Sequence, residues 1–124
     1  MATILVVEDE YAIAELLRDM LQEEGYAVVL ASNGSQALEQ LAETRPDLIL
    51  SDVMMPGMDG RALTRALRTD PHYRSIPIVL MSAGRAPDQG IDGYDAYISK
   101  PFNLYMVLDT VTELLGRGGS SPAR

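Results

Sequence analysis

The chain contains no cysteine, so disulfides and thiolate metal sites are excluded. That absence fits a reducing compartment. No apolar stretch approaches the length needed to cross a bilayer. Met1-Ala2-Thr3 leads straight into an apolar run, so no signal peptide is expected, and a soluble cytoplasmic protein is the default. Positive charge is also scarce. Ten basic against eighteen acidic residues leave a formal charge of −8. Such a surface repels phosphate backbones, so direct nucleic-acid binding is not expected. The single histidine, His72, sits in the polar turn Asp70-Pro71-His72-Tyr73-Arg74 and reads as solvated surface. What remains is 124 residues, enough for one domain with a real core.

The apolar residues are arranged in short runs separated by helical periods. Residues 3–8, 27–30, 47–51, 76–82 and 96–99 read as strands. Pro77 is tolerable only near the start of its strand, because it cannot donate to a ladder. Residues 11–24 read as a helix with Ile13, Leu16, Leu17, Met20 and Leu21 on one face, stopped by Gly25. A second helix runs from Gly34 to Glu43, capped by Asn33 or Ser32 and broken at Arg45-Pro46. A third covers 60–69, and a last one runs from an Asn103 cap to about Leu115. Strands alternating with helices predict an α/β fold with a parallel sheet. The Gly/Ser-rich end has linker composition, which divides the chain into a domain at 1–116 and a flexible tail or linker at 117–124.

Chemistry-bearing residues stand at the ends of the apolar runs. Ile4-Leu5-Val6-Val7 ends in Glu8-Asp9, Leu48-Ile49-Leu50-Ser51 in Asp52, Ile78-Val79-Leu80-Met81 in Ser82, and Tyr97-Ile98-Ser99 in Lys100. In a parallel sheet these ends share one edge, where open α/β sheets place ligands. Magnesium takes oxygen ligands and usually only one or two carboxylates. A carboxylate can attack phosphorus to form an aspartyl phosphate. Phosphoryl transfer then needs positioning and charge neutralisation more than acid–base chemistry. Met54, Met55 and Met58 read as loop packing, since hard oxygen ligands dominate here.

Three motifs extend this pattern: Pro46-Asp47-Leu48-Ile49-Leu50-Ser51-Asp52-Val53-Met54-Met55-Pro56-Gly57-Met58-Asp59-Gly60, Met81-Ser82-Ala83 and Tyr97-Ile98-Ser99-Lys100-Pro101-Phe102. With Glu8-Asp9-Glu10, the chain resembles a response-regulator receiver domain of bacterial two-component signalling over essentially residues 3–115. The resemblance implies a flavodoxin-like, doubly wound, five-stranded parallel sheet of order 2-1-3-4-5. It implies Asp52 as phosphoacceptor. Asp9, Asp52 and the Met54 backbone carbonyl would bind Mg2+, with Mn2+ as a substitute, and Glu8 would act through water. Lys100 and Ser82 would contact the phosphoryl group. Ser82 and Tyr97 would form a switch, with Tyr97 moving inward, and the Lys100-Pro101 peptide would be cis. Expected partners are a histidine kinase or histidine phosphotransfer protein and a downstream protein target, with no membrane and with the chain a monomer or weak dimer. Such a domain is a signalling module rather than an enzyme.

Two departures from the family stand out. Glu8 occupies a position where the family often has aspartate. The segment between Ser82 and Tyr97 is several residues shorter than usual, rich in glycine and without an apolar helical period, so the family's fourth helix is expected to be shortened or degenerate. Other readings fit less well. A flavin-binding protein of this fold would not place Glu8-Asp9-Glu10 where phosphate must bind. An aspartyl-phosphate hydrolase would carry its nucleophile after the first strand, with a second Asp two positions on. A scaffold that keeps the fold and signals without phosphorylation is the remaining alternative.

Overall fold

A computed structural model of the chain describes residues 1–83 and 93–118. The elements, in order, are β1 (Thr3–Val7), α1 (Tyr11–Glu23), β2 (Ala27–Ala31), α2 (Gly34–Glu43), β3 (Leu48–Asp52), α3 (Gly60–Arg68), β4 (Ile78–Ser82), β5 (Ala96–Ser99) and α4 (Leu104–Gly118). The strands form one sheet ordered β2-β1-β3-β4-β5, with every pairing parallel. This is the order and class expected from the resemblance. The shortened fourth helix was expected in a stretch centred on residues 84–92, which lie outside the described residues.

Side-chain alternation along the strands sends successive residues to opposite faces and so builds two cores. On one face Leu5, Val7, Ile49, Ile78 and Leu80 pack against Ala37 and Leu41 of α2 and Leu63 and Leu67 of α3. On the other, Ile4, Val6, Leu50, Val79 and Ile98 meet Leu17 and Leu21 of α1 and Val107 and Val111 of α4. Burial of each such aliphatic side chain contributes roughly 1.5–3 kcal/mol. The three central strands are therefore apolar on both faces, which accounts for their unbroken runs. Among the described residues, no helix is long and apolar enough to cross a membrane.

Several boundaries shift for physical reasons. Pro77 has no N–H, so β4 begins at Ile78, and Pro77 instead offers its carbonyl to the Ile49 amide at 2.9 Å. Asp47 lies outside β3; its Oδ2 accepts the Thr3 amide at 2.8 Å while its own amide donates to the Thr3 carbonyl. α1 closes at Glu23 in a turn where Gly25, at φ +96°, donates to Gln22 and Tyr26 donates to Leu21. Asn33, rather than Ser32, caps α2: its side chain accepts the Gln36 amide at 2.9 Å, and the Gln36 side chain accepts the Ser32 amide at 2.7 Å. α4 continues to Gly118, two residues past the boundary drawn from composition. A glycine such as Gly116 weakens a helix by about 1 kcal/mol but does not break it.

Candidate phosphoacceptor site

The register of the sheet brings the sequence-predicted residues together. Asp52 is the last residue of β3 and Ser82 the last of β4; Glu8-Asp9 follow β1 and Lys100 follows β5. The pairing continues past the strand ends, with the Glu8 amide on Ala31, the Val53 amide on Met81 and the Lys100 amide on the Ser82 carbonyl at 2.8 Å. Each side chain is thus aimed from a backbone that is itself fixed.

At the centre, Lys100 Nζ lies 3.0 Å from Asp52 Oδ1 and 3.2 Å from Glu8 Oε1. Glu8 and Asp52 are only 2% and 5% exposed, whereas Asp9 faces solvent. One oxygen from each of these three carboxylates lies within 4.8 Å of the others. Above them opens a cleft of about 440 Å³ lined by Asp9, Glu10, Asp52, Met54, Ser82 and Lys100, among others. The Met54 side chain is 70% exposed at its rim. Tyr97 packs against the core on the α2/α3 face and donates its hydroxyl to the Ser82 carbonyl at 2.9 Å. The Lys100-Pro101 peptide is cis.

The charges do not balance. Among the described residues, three carboxylates face one ammonium. Burial pushes the Glu8 carboxyl up to about 7; the Glu10 amide pulls it down, the Asp52 charge raises it further, and Lys100 lowers it. Burial lowers Lys100, but its contacts with Asp52 and Glu8 outweigh that and leave it above its ordinary value. A hard divalent cation fits such a set, since it would take carboxylate and carbonyl oxygens and supply the missing positive charge.

Three contributions to the site were not read from the sequence. Glu8 pairs directly with Lys100, so this buried glutamate supports the lysine from beneath the cleft as well as joining the acidic cluster. Gly60, the first residue of α3, approaches the Asp52 backbone so closely that a Cβ would overlap the Asp52 carbonyl oxygen and come within 3.0 Å of Val53 Cα. Its amide donates to the Val53 carbonyl at 2.9 Å. The glycine following Asp59, the α3 cap, was the available signal for that close approach. Finally, Ser51 Oγ donates to the Asp52 carbonyl at 2.9 Å. Nothing in its strand position distinguishes it from a packed residue.

Parallel order, acidic strand ends and a lysine bridging two carboxylates define a class, and comparison with known proteins agrees. The family model described as response regulator receiver domain matches residues 4–112, and the chain belongs to that family, a signalling module. Among curated proteins it is 40% identical over 129 residues to the response regulator MprA of Mycobacterium sp. strain KMS, covering 97% of this chain and 55% of that protein. The chain thus spans about half the length of the first such relatives. Among solved structures, the signal receiver domain of a signal transduction histidine kinase from Syntrophus aciditrophicus superposes with a TM-score of 0.86 at 39% identity, covering 94% and 91% of the two chains. The receiver domain of sensor histidine kinase PA1611 from Pseudomonas aeruginosa PAO1, at a TM-score of 0.83 and 29% identity over 93% and 98%, has magnesium coordinated in its active-site cleft.

Proposed function

We propose that this receiver takes a phosphoryl group from the phosphohistidine of a partner kinase or phosphotransfer protein onto the Asp52 carboxylate. The observation that carries this is the Lys100 bridge: a nearly buried aspartate at a strand end, held 3.0 Å from an ammonium and opening into a cleft that one phosphoryl group would occupy. In the transfer, the phosphorus–nitrogen bond of the donor breaks as a carboxylate oxygen of Asp52 forms the new phosphorus–oxygen bond. The imidazole keeps the electron pair and is released. Lys100 exchanges part of its contact with Asp52 for a phosphoryl oxygen, and the Ser82 hydroxyl donates to another. Asp9, Asp52 and the Met54 carbonyl would hold Mg2+, or Mn2+ in its place, with Glu8 acting through water. Bound there, the ion supplies charge neutralisation at the phosphoryl oxygens.

The new charge would draw Ser82 and, behind it, Tyr97, and so alter a surface that a downstream protein reads. The acidity of the chain argues against nucleic acid as that partner. Incubation with magnesium and acetyl phosphate, followed by intact-mass measurement, tests the assignment. The wild type should gain one phosphoryl mass and Asp52→Asn should not. Absence of an adduct on the wild type, or its persistence in Asp52→Asn, would favour a scaffold that signals without phosphorylation.

A further inference from the structure

Behind Ser82 lies a second tyrosine that the proposed chemistry does not use. Tyr94 is 6% exposed and belongs to the core cluster that includes Leu63, Leu67, Ile76 and Leu80, against which Tyr97 also packs. The Tyr94 and Tyr97 rings are tilted by 53° with centroids 6.5 Å apart. That separation is within the range in which tilted aromatic pairs attract. Tyr97 is therefore held by its hydroxyl on the Ser82 carbonyl and by its ring beside Tyr94, among other contacts.

Tyr94 itself is fixed on both flanks. The Gly93 carbonyl accepts Arg68 Nε at 2.6 Å, and Asp95 Oδ2 accepts Arg68 Nη2 at 2.7 Å. The same guanidinium donates through Nη1 to the Arg74 and Ile76 carbonyls. Asp95 Oδ2 also accepts the Ile78 amide, and the Asp95 amide donates to the Ile78 carbonyl at 2.7 Å. Gly93 adopts φ +80°, and a Cβ there would stand 3.2 Å from Arg68 Cγ. Residues on either side of Tyr94 are thereby tied to α3 and β4 by charge-assisted bonds, which fix the backbone that carries the ring.

We propose that Tyr94 is a positioning residue that holds Tyr97 inward, on the Ser82 carbonyl, before any phosphoryl group arrives. A two-state element responds only to contacts that differ between its states. The Tyr94 ring supplies such a contact, available to Tyr97 only in its inward arrangement. The core thus biases the reporter, and phosphorylation adds to a preference already present. The inference rests on the reading of Tyr97 as part of the switch. Loss of the ring should lower the inward-to-outward ratio of Tyr97 by roughly three- to tenfold, the range for a pair of this kind.

The test is 19F NMR of the full chain carrying 3-fluorotyrosine, with the Tyr97 signal assigned by Tyr97→Phe. Without a phosphodonor, Tyr94→Ala should move the Tyr97 signal toward that of Tyr105, which is 79% exposed. Tyr94→Leu, which keeps apolar volume in the core and guards against misfolding of the alanine variant, should move it the same way, while Tyr94→Phe should leave it in place. An unmoved Tyr97 signal in the folded leucine variant, or one displaced equally in the phenylalanine variant, overturns the proposal. Intact mass after acetyl phosphate treatment reports separately on Asp52. An adduct that returns the displaced signal toward its wild-type position supports the coupling, whereas an adduct that leaves it displaced overturns it. Failure to form any adduct removes the phosphorylation reading, and the comparison of unphosphorylated variants still decides the role of Tyr94.

Discussion

Glu8→Gln separates the electrostatics of the site from its packing. The substitution keeps the shape of the side chain and removes the charge. Burial raises the Glu8 carboxyl from 4.5 to about 7 in the folded chain. Between those values the folded chain holds a proton on Glu8 that the unfolded chain has released. Raising the pH through that window therefore destabilises the fold; below it the penalty is absent, and above it the full cost is present. At about 1.4 kcal/mol for each pH unit of displacement, the cost reaches about 3 kcal/mol above pH 7. Urea unfolding of both proteins in EDTA, from pH 4.5 to 8, measures it. Titrations elsewhere are common to the two chains and cancel in the difference. The variant should match the wild type near pH 4.5 and exceed it by about 3 kcal/mol at pH 8, a midpoint difference of roughly 1–3 M urea. Magnesium should stabilise the ionised wild type and shrink that gap at pH 8. Parallel stability curves for the two proteins in EDTA would refute the argument, because they would mean that Glu8 ionises in the fold as readily as in water.

Lys100→Met removes the one ammonium between Glu8 and Asp52 and should destabilise the chain at pH 8 in EDTA by roughly 1–3 kcal/mol. That is less than the loss for a fully buried pair, since the Lys100 side chain is 18% exposed; magnesium should recover much of it in a thermal melt. Gly60→Ala sets a methyl group against the Asp52 carbonyl, so α3 or the end of β3 must move; a loss of about 3 kcal/mol in urea unfolding and slower adduct formation at Asp52 are expected.

The alternation of strands and helices, the parallel sheet and the convergence at its edge follow from features that are local in sequence, whereas the strand order was implied by the family resemblance. Each central strand is an unbroken aliphatic run ending in a chemistry-bearing residue, and parallel pairing does the rest. The Pro77 boundary was readable from one missing N–H, although its effect, a strand starting at Ile78, was drawn two residues early. Glu8 was legible as an acid at a strand end but not as a partner of Lys100, because that contact joins opposite ends of the chain and depends on β1 and β5 reaching the same edge. Gly60 carried a signal, a glycine at a helix start, but not its target: the contact with Asp52 is set by where α3 docks. Arg68 carried none. On a helical wheel it is another basic residue of α3, and only the folded chain brings the carbonyls of Gly93, Arg74 and Ile76 to its guanidinium.

The Arg68 clasp has a bearing on how such a domain can change over evolutionary time. β5 enters the sheet from Gly93 and Asp95, and both are secured by Arg68 of α3, with Asp95 also bonded to Ile78 of β4. The number of residues between Ser82 and Gly93 can then drift without carrying Lys100 or Tyr97 out of register. Closing a longer or shorter loop changes stability slowly, by about 0.6 kcal/mol per doubling of length. Changes in the length of that stretch are thereby decoupled from the placement of the lysine, so a lineage can lengthen or shorten it while inheriting the same sheet edge.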